Sequence, residues 1–575
     1  MSKKRAAGEL IASTLAGLGV TEIFALHGSH LDPLYMACEE FGIRLTDTRH
    51  EASAGHAADG YARSSNGKLG VCAVTAGPGF TNVLTAIANA HLDKIPTLFI
   101  AGAAPLRDAD ENILQGGFDA VAMAQPVTKW AGRLTEPEKM TDFVRRAAEM
   151  ALSGAPGPVF IEIPIDVVFR PTDQQPASTE AWQRPTPPAP DPAAVASALE
   201  KLKGAERPVI IAGGGVMLTD SGAALQKLAE ATGIPVIASQ KSLGVLPDDH
   251  PLYGGAAAGL AMAAASGSPC DAVLLLGARM GMFLGGAMGA IIPPEAYVAQ
   301  VEIDPLEIGR VRMADLPIIA DAGQAIRAFT QAAGAMDWPD RGDWAQTLRD
   351  FRPAARQAFA DAPTETENGK IHPGHAVAAV MDALPEGTAV VADGGEAGNW
   401  VGDLIRSPGA GQHLRCGYLG CLGISPGFAI GAARAKPDRP VACFAGDGGV
   451  GFNIQEFDTM VRHELPIVTI VLNNAEWGMS RNAQNLLYGR NREAIVTLED
   501  TRYDLVAAGF GVEARLITRY DEIADAVREA FASGKPCCLN IIIDGAVMHP
   551  RTKMMVGDGA GDEDVPIPYY ANIKA

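Results

Sequence analysis

The sequence predicts an α/β protein made of three doubly wound parallel-sheet units. Short apolar runs alternate with alanine-rich helical patterns over most of the chain, two stretches without periodicity divide it, and several apolar runs end in glycine-rich turns. Strand followed by helix, repeated, closes a parallel sheet, because each crossover has to carry a helix over one face.

In the first unit, residues 1–175, the runs Ile23–Leu26, Gly70–Thr75, Thr97–Ala101 and Val159–Ile163 read as buried strands, with an alanine-rich helix after His50. The basic start, Ser2-Lys3-Lys4-Arg5, is followed by Glu9 where a secretory signal would need apolar residues, so the stretch to Leu18 reads as an amphipathic helix. Pro171 to Pro192 is rich in Pro, Thr, Gln and Ser and reads as a linker. The middle unit, residues 193–335, opens on Pro208-Val-Ile-Ile-Ala-Gly-Gly-Gly and continues through Asp271–Gly277 and Val298–Asp304. The last, residues 370–550, has strands at Ala389–Ala392, Val441–Ala445, Ile467–Leu472 and Cys538–Ile543, and residues 551–575 form a polar tail or lid.

Bulk composition narrows the function. With 47 Lys and Arg against 67 Asp and Glu, the formal charge is −20, which repels nucleic acid and anionic membranes and favours a small-molecule substrate. Eight scattered cysteines without a CxxC pair give neither a disulfide framework nor a zinc site and suit a reducing cytoplasm. The most apolar stretch, near Val273 to Ile292, holds Arg279 and many glycines and makes a poor membrane span.

The most informative segment is Ala445-Gly446-Asp447-Gly448-Gly449-Val450-Gly451-Phe452-Asn453, followed by Val471-Leu472-Asn473-Asn474. Glycines let a backbone approach a phosphate, and the following helix N-terminus offers unpaired N–H groups. Asp447 would repel that phosphate unless a cation stood between them, and carboxylate, amide oxygen and phosphate suit Mg²⁺. Consecutive parallel strands end at one sheet edge, so Asp447 and Asn474 can reach one ion. Two ordinary turns closing two strands are the plainer alternative.

A second segment, Thr48-Arg49-His50-Glu51-Ala52-Ser53-Ala54-Gly55-His56, sets Glu51 at the start of a helix of small residues. A desolvated carboxyl can share a proton with a weak base, and a helix-capping acid is the alternative.

Taken together, these segments resemble the thiamine diphosphate-dependent enzyme superfamily. The resemblance implies a pyrimidine-binding first unit and a diphosphate-binding last unit flanking a Rossmann-like middle one. It implies Mg²⁺ on Asp447, Asn474 and the main-chain oxygen of Glu476, and cofactor contacts from Gly420, Gly446, Gly448 and Gly449. Glu51 would hold the pyrimidine ring and promote the tautomer that activates the thiazolium. In Gly417-Tyr418-Leu419-Gly420-Cys421-Leu422-Gly423, Leu422 would wedge the cofactor into its bent shape. A homodimer or homotetramer with the active site at a subunit interface is implied as well. Whether the middle unit holds FAD or a nucleotide stays open; its Gly213-Gly214-Gly215 run lacks the GxGxxG spacing of a dinucleotide site.

Within the superfamily the chain looks most like benzaldehyde lyase, through Leu26-His27-Gly28-Ser29-His30, Asp47-Thr48-Arg49-His50-Glu51, Gly79-Phe80-Thr81-Asn82 and Asn112-Ile113-Leu114-Gln115. That branch implies His30 and Gln115 as the proton relay to the substrate oxygen, which suits a side chain whose free pKa is near ~6.5; His27 reads as structural or positioning. The acceptor pocket departs from the branch at Ser29, Gly398, Cys416 and Met479, beside Trp477. Met479-Ser480-Arg481 is more like acetolactate synthase, and Arg481 is the candidate clamp for a substrate carboxylate. The expected activity is therefore a carbon–carbon lyase or carboligase on 2-hydroxy ketones or related acyl donors. An acetolactate-synthase-like or 2-keto acid decarboxylating enzyme and a 2-hydroxyacyl thioester lyase are the alternatives.

Overall fold

The computed structural model describes residues 5–556 apart from 109–110, 177–184, 287–288, 290, 407–411 and 490–491, together with 564–565, 567 and 573–574. Much of the expected linker and most of the expected tail, with its Gly-Asp-Gly-Ala-Gly-Asp run, lie outside the described residues. Contacts divide the chain into two units: Met1–Leu45, Ala58–Ala354 and Arg406–His413 in one, and Thr46–Ala57, Ala355–Ile405 and Leu414–Ala575 in the other.

The first unit carries two sheets. One is formed by β1 (Glu22–Ala25), β2 (Arg44–Asp47), β3 (Gly70–Val74), β4 (Thr97–Ala103), β5 (Trp130–Arg133) and β6 (Val159–Pro164), in the order 2-1-3-4-6-5. Its central strands pair in parallel, with Val71 opposite Leu98 and Leu98 opposite Val159, and are buried along their length. The helix Glu9–Gly17 covers one face with Leu10, Ile11 and Leu15, as its amphipathic pattern requires.

The other sheet holds β7 (Pro208–Ala212), β8 (Val236–Ala238), β9 (Tyr253–Ala256), β10 (Ala272–Leu276), β11 (Tyr297–Glu302) and β12 (Leu316–Ile319). Counted within this sheet, their order is 3-2-1-4-5-6, that of a Rossmann fold. The Gly-rich end of β7 has a packing cause: a Cβ on Gly213 would stand 2.2 Å from the Gly277 carbonyl oxygen, so two backbones touch there. A buried charge cluster joins the regions of the two sheets. Asp93 accepts from Arg63 at 2.9 Å and from Lys241, while Asp59 accepts from Arg63 at 2.6 Å and from Asn89 at 2.8 Å.

The second unit carries β13 (Ala389–Ala392), β14 (His413–Arg415), β15 (Val441–Gly446), β16 (Ile467–Asn473), β17 (Glu513–Ile517) and β18 (Cys537–Ile542). Counted within the sheet, their order is again 2-1-3-4-6-5, the order of the first sheet. Val390, Ala442, Phe444, Val468, Ile470 and Leu539 fill its core with Trp400, Val401 and Val527.

Candidate active site

Strands β15 and β16 run in parallel with Gly446 opposite Leu472, so the residues that follow leave from one sheet edge. Asp447 begins a single helical turn, Asp447–Val450, and is buried. Loss of water around it pushes its carboxyl up to about 6, against the N–H groups aimed at it. One of these is the Glu476 N–H, which donates to Oδ2 at 3.1 Å. The chain turns back to make this bond through Ala475, a non-glycine residue at φ 59°.

One end of the Asn474 amide lies 3.1 Å from Asp447 Oδ1 and 3.0 Å from the Glu476 carbonyl oxygen. As a nitrogen, that end donates to both; as an oxygen, it makes a third acceptor in a converging set. An octahedral Mg²⁺ with oxygens at ~2.1 Å would hold neighbouring oxygens about 3.0 Å apart, so these residues fit the ion. Among the described residues no cluster of three or more His, Cys, Asp or Glu is placed to hold a metal. An ion here would thus rest on one carboxylate with amide and carbonyl oxygen, a donor set for a hard cation.

Close packing explains the glycines. A Cβ on Gly448 would stand 2.6 Å from the Trp477 ring, and one on Gly478 would stand 2.8 Å from Asn474 Nδ2. The Glu476 side chain is turned elsewhere: Arg481 Nη1 donates to it at 2.6 Å, and Arg481 Nε donates to Glu493 at 3.0 Å. The expected carboxylate clamp therefore already serves two carboxylates of its own chain. Met479 lies in the first turn of the helix Gly478–Tyr488 that Arg481 shares.

The turn after strand β13 and the helix it opens supply two acids that sequence reasoning missed. Asp393 is buried and accepts from the N–H groups of Gly394 (2.8 Å), Gly423 (3.0 Å) and Ser425 (3.2 Å) and from the Ser425 hydroxyl (2.8 Å). It therefore pins the chain just after Leu422, at Gly423 and Ser425; Leu422 Cδ2 would be 2.7 Å from a Cβ on Gly394, with Cys416 Sγ 3.3 Å from the same point. Gly420 adopts φ 67° with open space on its side-chain side. Glu396 accepts from Asn482 at 2.8 Å and from the His549 N–H at 3.3 Å, and burial raises its carboxyl. The signal for Asp393 was present: Asp-Gly-Gly after an apolar strand, as at Asp447.

The segment Thr46–Ala57 belongs to this same unit. Asp47 is bonded to Arg462 at 2.7 Å and to His463 at 2.9 Å, the Arg49 N–H donates to Glu456 at 3.2 Å, and Arg434 donates to Thr46 at 2.9 Å. Gly427 permits close approach of the helix that begins at Glu51, since a Cβ there would meet His56 Cβ at 2.7 Å. Glu51 itself is buried.

His30, Ser29 and Gln115 lie in the other unit. His30 sits in the turn Ser29–Leu31, half-buried, with Nδ1 3.1 Å from Thr75 Oγ1, and burial lowers its pKa, favouring neutral imidazole. Gln115 is held at φ 61°, and a Cβ on Gly77 would be 2.9 Å from its Cβ. The loop Thr75–Gly77 thus touches both expected relay residues. Ser29 is exposed, and His27 is exposed with Nε2 3.0 Å from Asp32, a surface positioning contact.

This geometry defines an enzyme that binds a diphosphate-bearing cofactor at the edge of a parallel sheet. Residues 5–123 match the N-terminal TPP binding domain of thiamine pyrophosphate enzymes, residues 195–329 the central domain and residues 393–541 the C-terminal TPP binding domain. The chain belongs to the thiamine pyrophosphate enzyme family. It is similar to a probable acetolactate synthase large subunit of Methanocaldococcus jannaschii, 33% identical over 94% of this chain and 92% of the relative. It is similar to an acetolactate synthase large subunit of Mycobacterium tuberculosis, 33% identical over 95% of this chain and 97% of the relative. It is also similar to 2-hydroxyacyl-CoA lyase 2 of Bos taurus, 31% identical over 94% and 90%. No helix among the described residues is long and apolar enough to cross a membrane.

Proposed function

We propose that this thiamine diphosphate-dependent enzyme is a carbon–carbon lyase or carboligase that acts on 2-hydroxy ketones or related acyl donors, 2-hydroxyacyl thioesters among them. The observation that carries this reading is the pairing of a neutral His30 with Gln115 on the Thr75–Gly77 loop. Cleavage next to a hydroxyl needs a group that takes the hydroxyl proton and returns it, which a neutral imidazole does well. A 2-keto acid would instead bring a carboxylate for a cation to bind before carbon dioxide leaves, and Arg481, the candidate for that, is already committed to Glu476 and Glu493.

Thiamine diphosphate, when bound, supplies the electron sink for the carbon whose bond is broken. Asp447, Asn474 and the Glu476 carbonyl would hold Mg²⁺, and Gly446, Gly448 and Gly449 leave room for the diphosphate. Glu51 would accept the pyrimidine ring, and Leu422 would fix the bend between the two rings. Ser29, Gly398, Cys416, Met479 and Trp477 would shape the substrate pocket. We place the enzyme in the cytoplasm as a homodimer or homotetramer with its active site at the subunit interface, by its resemblance to its superfamily. The second reading, an acetolactate-synthase-like decarboxylating enzyme, is favoured by Met479-Ser480-Arg481 and by the similarity to acetolactate synthases.

Product analysis with thiamine diphosphate and Mg²⁺ separates the two. The lyase reading expects aldehydes from a 2-hydroxy ketone or 2-hydroxyacyl thioester and no carbon dioxide from pyruvate. Carbon dioxide from pyruvate without cleavage of either hydroxy compound would reject it.

A further inference from the structure

Arg415 is a guanidinium without a full set of partners at the edge that carries the cofactor motif. It ends β14, one residue before Cys416, whose sulfur reaches the same point beside Gly394 as Leu422. Its Nε is buried with no hydrogen-bond partner, and the Cys416 sulfur is its nearest polar side-chain neighbour among the groups that act on it. It forms no ion pair with any described carboxylate. Asp403, the acid that acts on it, is already bonded to Arg551 and lies 3.3 Å from His549 Nε2. Two guanidiniums therefore share one carboxylate, and a desolvated cation lacking its counter-charge is costly.

Glycine keeps the guanidinium clear. On the helix Gly395–Leu404, a Cβ at Gly402 would stand 2.6 Å from Nη1 and one at Gly398 would stand 3.8 Å from Nη2. A larger residue at Gly402 would take the space of the guanidinium, whereas at Gly398 it would first meet the Asp393 carbonyl oxygen at 2.2 Å. Arginine's planar fork matches two oxygens of a carboxylate or a phosphate.

We infer that Arg415 is a specificity-determining residue that receives an anionic group of the acyl donor, a carboxylate or a phosphate. The inference rests on reading this sheet edge as the donor's site, and it narrows the donor class to compounds with an anionic group beyond the reacting carbons. Arg415, not Arg481, is then the anion-binding arginine of the pocket.

The test is calorimetric titration of the holoenzyme, wild type and Arg415→Gln, with two probes. Succinate presents a carboxylate away from any reacting carbon and coenzyme A presents phosphates. The inference expects wild type to bind at least one probe and Arg415→Gln to bind it at least tenfold more weakly, the size of a lost charge-assisted hydrogen bond. The affected probe identifies the source of the anion. Binding of neither probe to wild type, or equal affinities in a folded Arg415→Gln, overturns it. Should Arg415→Gln fail to fold, Arg415→Lys, which keeps the charge and loses the fork, must weaken the bound probe at least threefold; unchanged affinity overturns the inference. Turnover is scored apart: a wild type that binds a probe through Arg415 yet cleaves no 2-hydroxy donor sinks the proposed reaction and leaves the anion site standing.

Discussion

At the scale of single residues the two acids carry different work. Glu51 is buried at the start of its helix, and Glu51→Gln preserves shape and a hydrogen-bonding group while removing the exchangeable proton. We expect turnover to fall by at least a hundredfold, at the lower end of what acid–base catalysis contributes, with thermal stabilisation by cofactor retained; near-normal rates would remove Glu51 from its role. Asp447 is the sole carboxylate of its oxygen cluster, and burial makes it reluctant to ionise without a cation nearby. In Asp447→Ala we expect thiamine diphosphate with Mg²⁺ to give no rise in melting temperature, against the rise that binding to the native state must produce in wild type. An unchanged rise would show that the cluster does not hold the metal. Asp447 stood out in the sequence because it follows an apolar strand, and Glu51 because it opens a helix of small residues after an extended stretch. Arg415 did not, since its significance lies in a shortage of partners that only three dimensions reveal.

At the scale of elements, Asp393 governs the turn from Gly417 to Ser425. Four hydrogen bonds converge on its carboxylate, so Asp393→Ala would leave three N–H donors and a hydroxyl without an acceptor. We expect cofactor affinity to fall at least tenfold in that variant, read by fluorescence titration. Unaltered affinity would show that Leu422 is held by its other neighbours. Most central strands were readable from sequence to within a residue or two, because burial on both faces demands unbroken apolar runs; the three-residue interior strand Val236–Ala238 was missed, being too short to show a pattern. The edge strands Arg44–Asp47, Trp130–Arg133 and Glu513–Ile517 were missed, since each faces water along much of its length and carries charge.

At the scale of the whole molecule, the cluster of Arg63, Asp59, Asp93 and Lys241 ties the first sheet's helices to the middle sheet. Removal of the shared carboxylate in Asp93→Ala breaks the Lys241 pair and leaves Arg63 with Asp59 alone, at a cost of about 3–5 kcal/mol by the behaviour of broken buried pairs. Chemical denaturation should show a loss of that order in the first transition; a loss under 1 kcal/mol would mean that water reaches the cations. The sequence foretold three α/β regions, and the identical strand order of the first and third sheets emerged from the structure, because strand order depends on contacts that local periodicity does not encode.

The placement of Thr46–Ala57 has a consequence for how the protein is made. Arg49 meets Glu456 across 407 residues of chain, so the segment that presents Glu51 leaves the ribosome long before its partners do. At ~5–20 residues per second that delay lasts about 20–80 s. Throughout it the first sheet can close while the start of the helix that carries Glu51 has nothing to dock on. Newly made chains should therefore gain a folded N-terminal region well before they gain activity, and a nascent chain released early should be structured but inert.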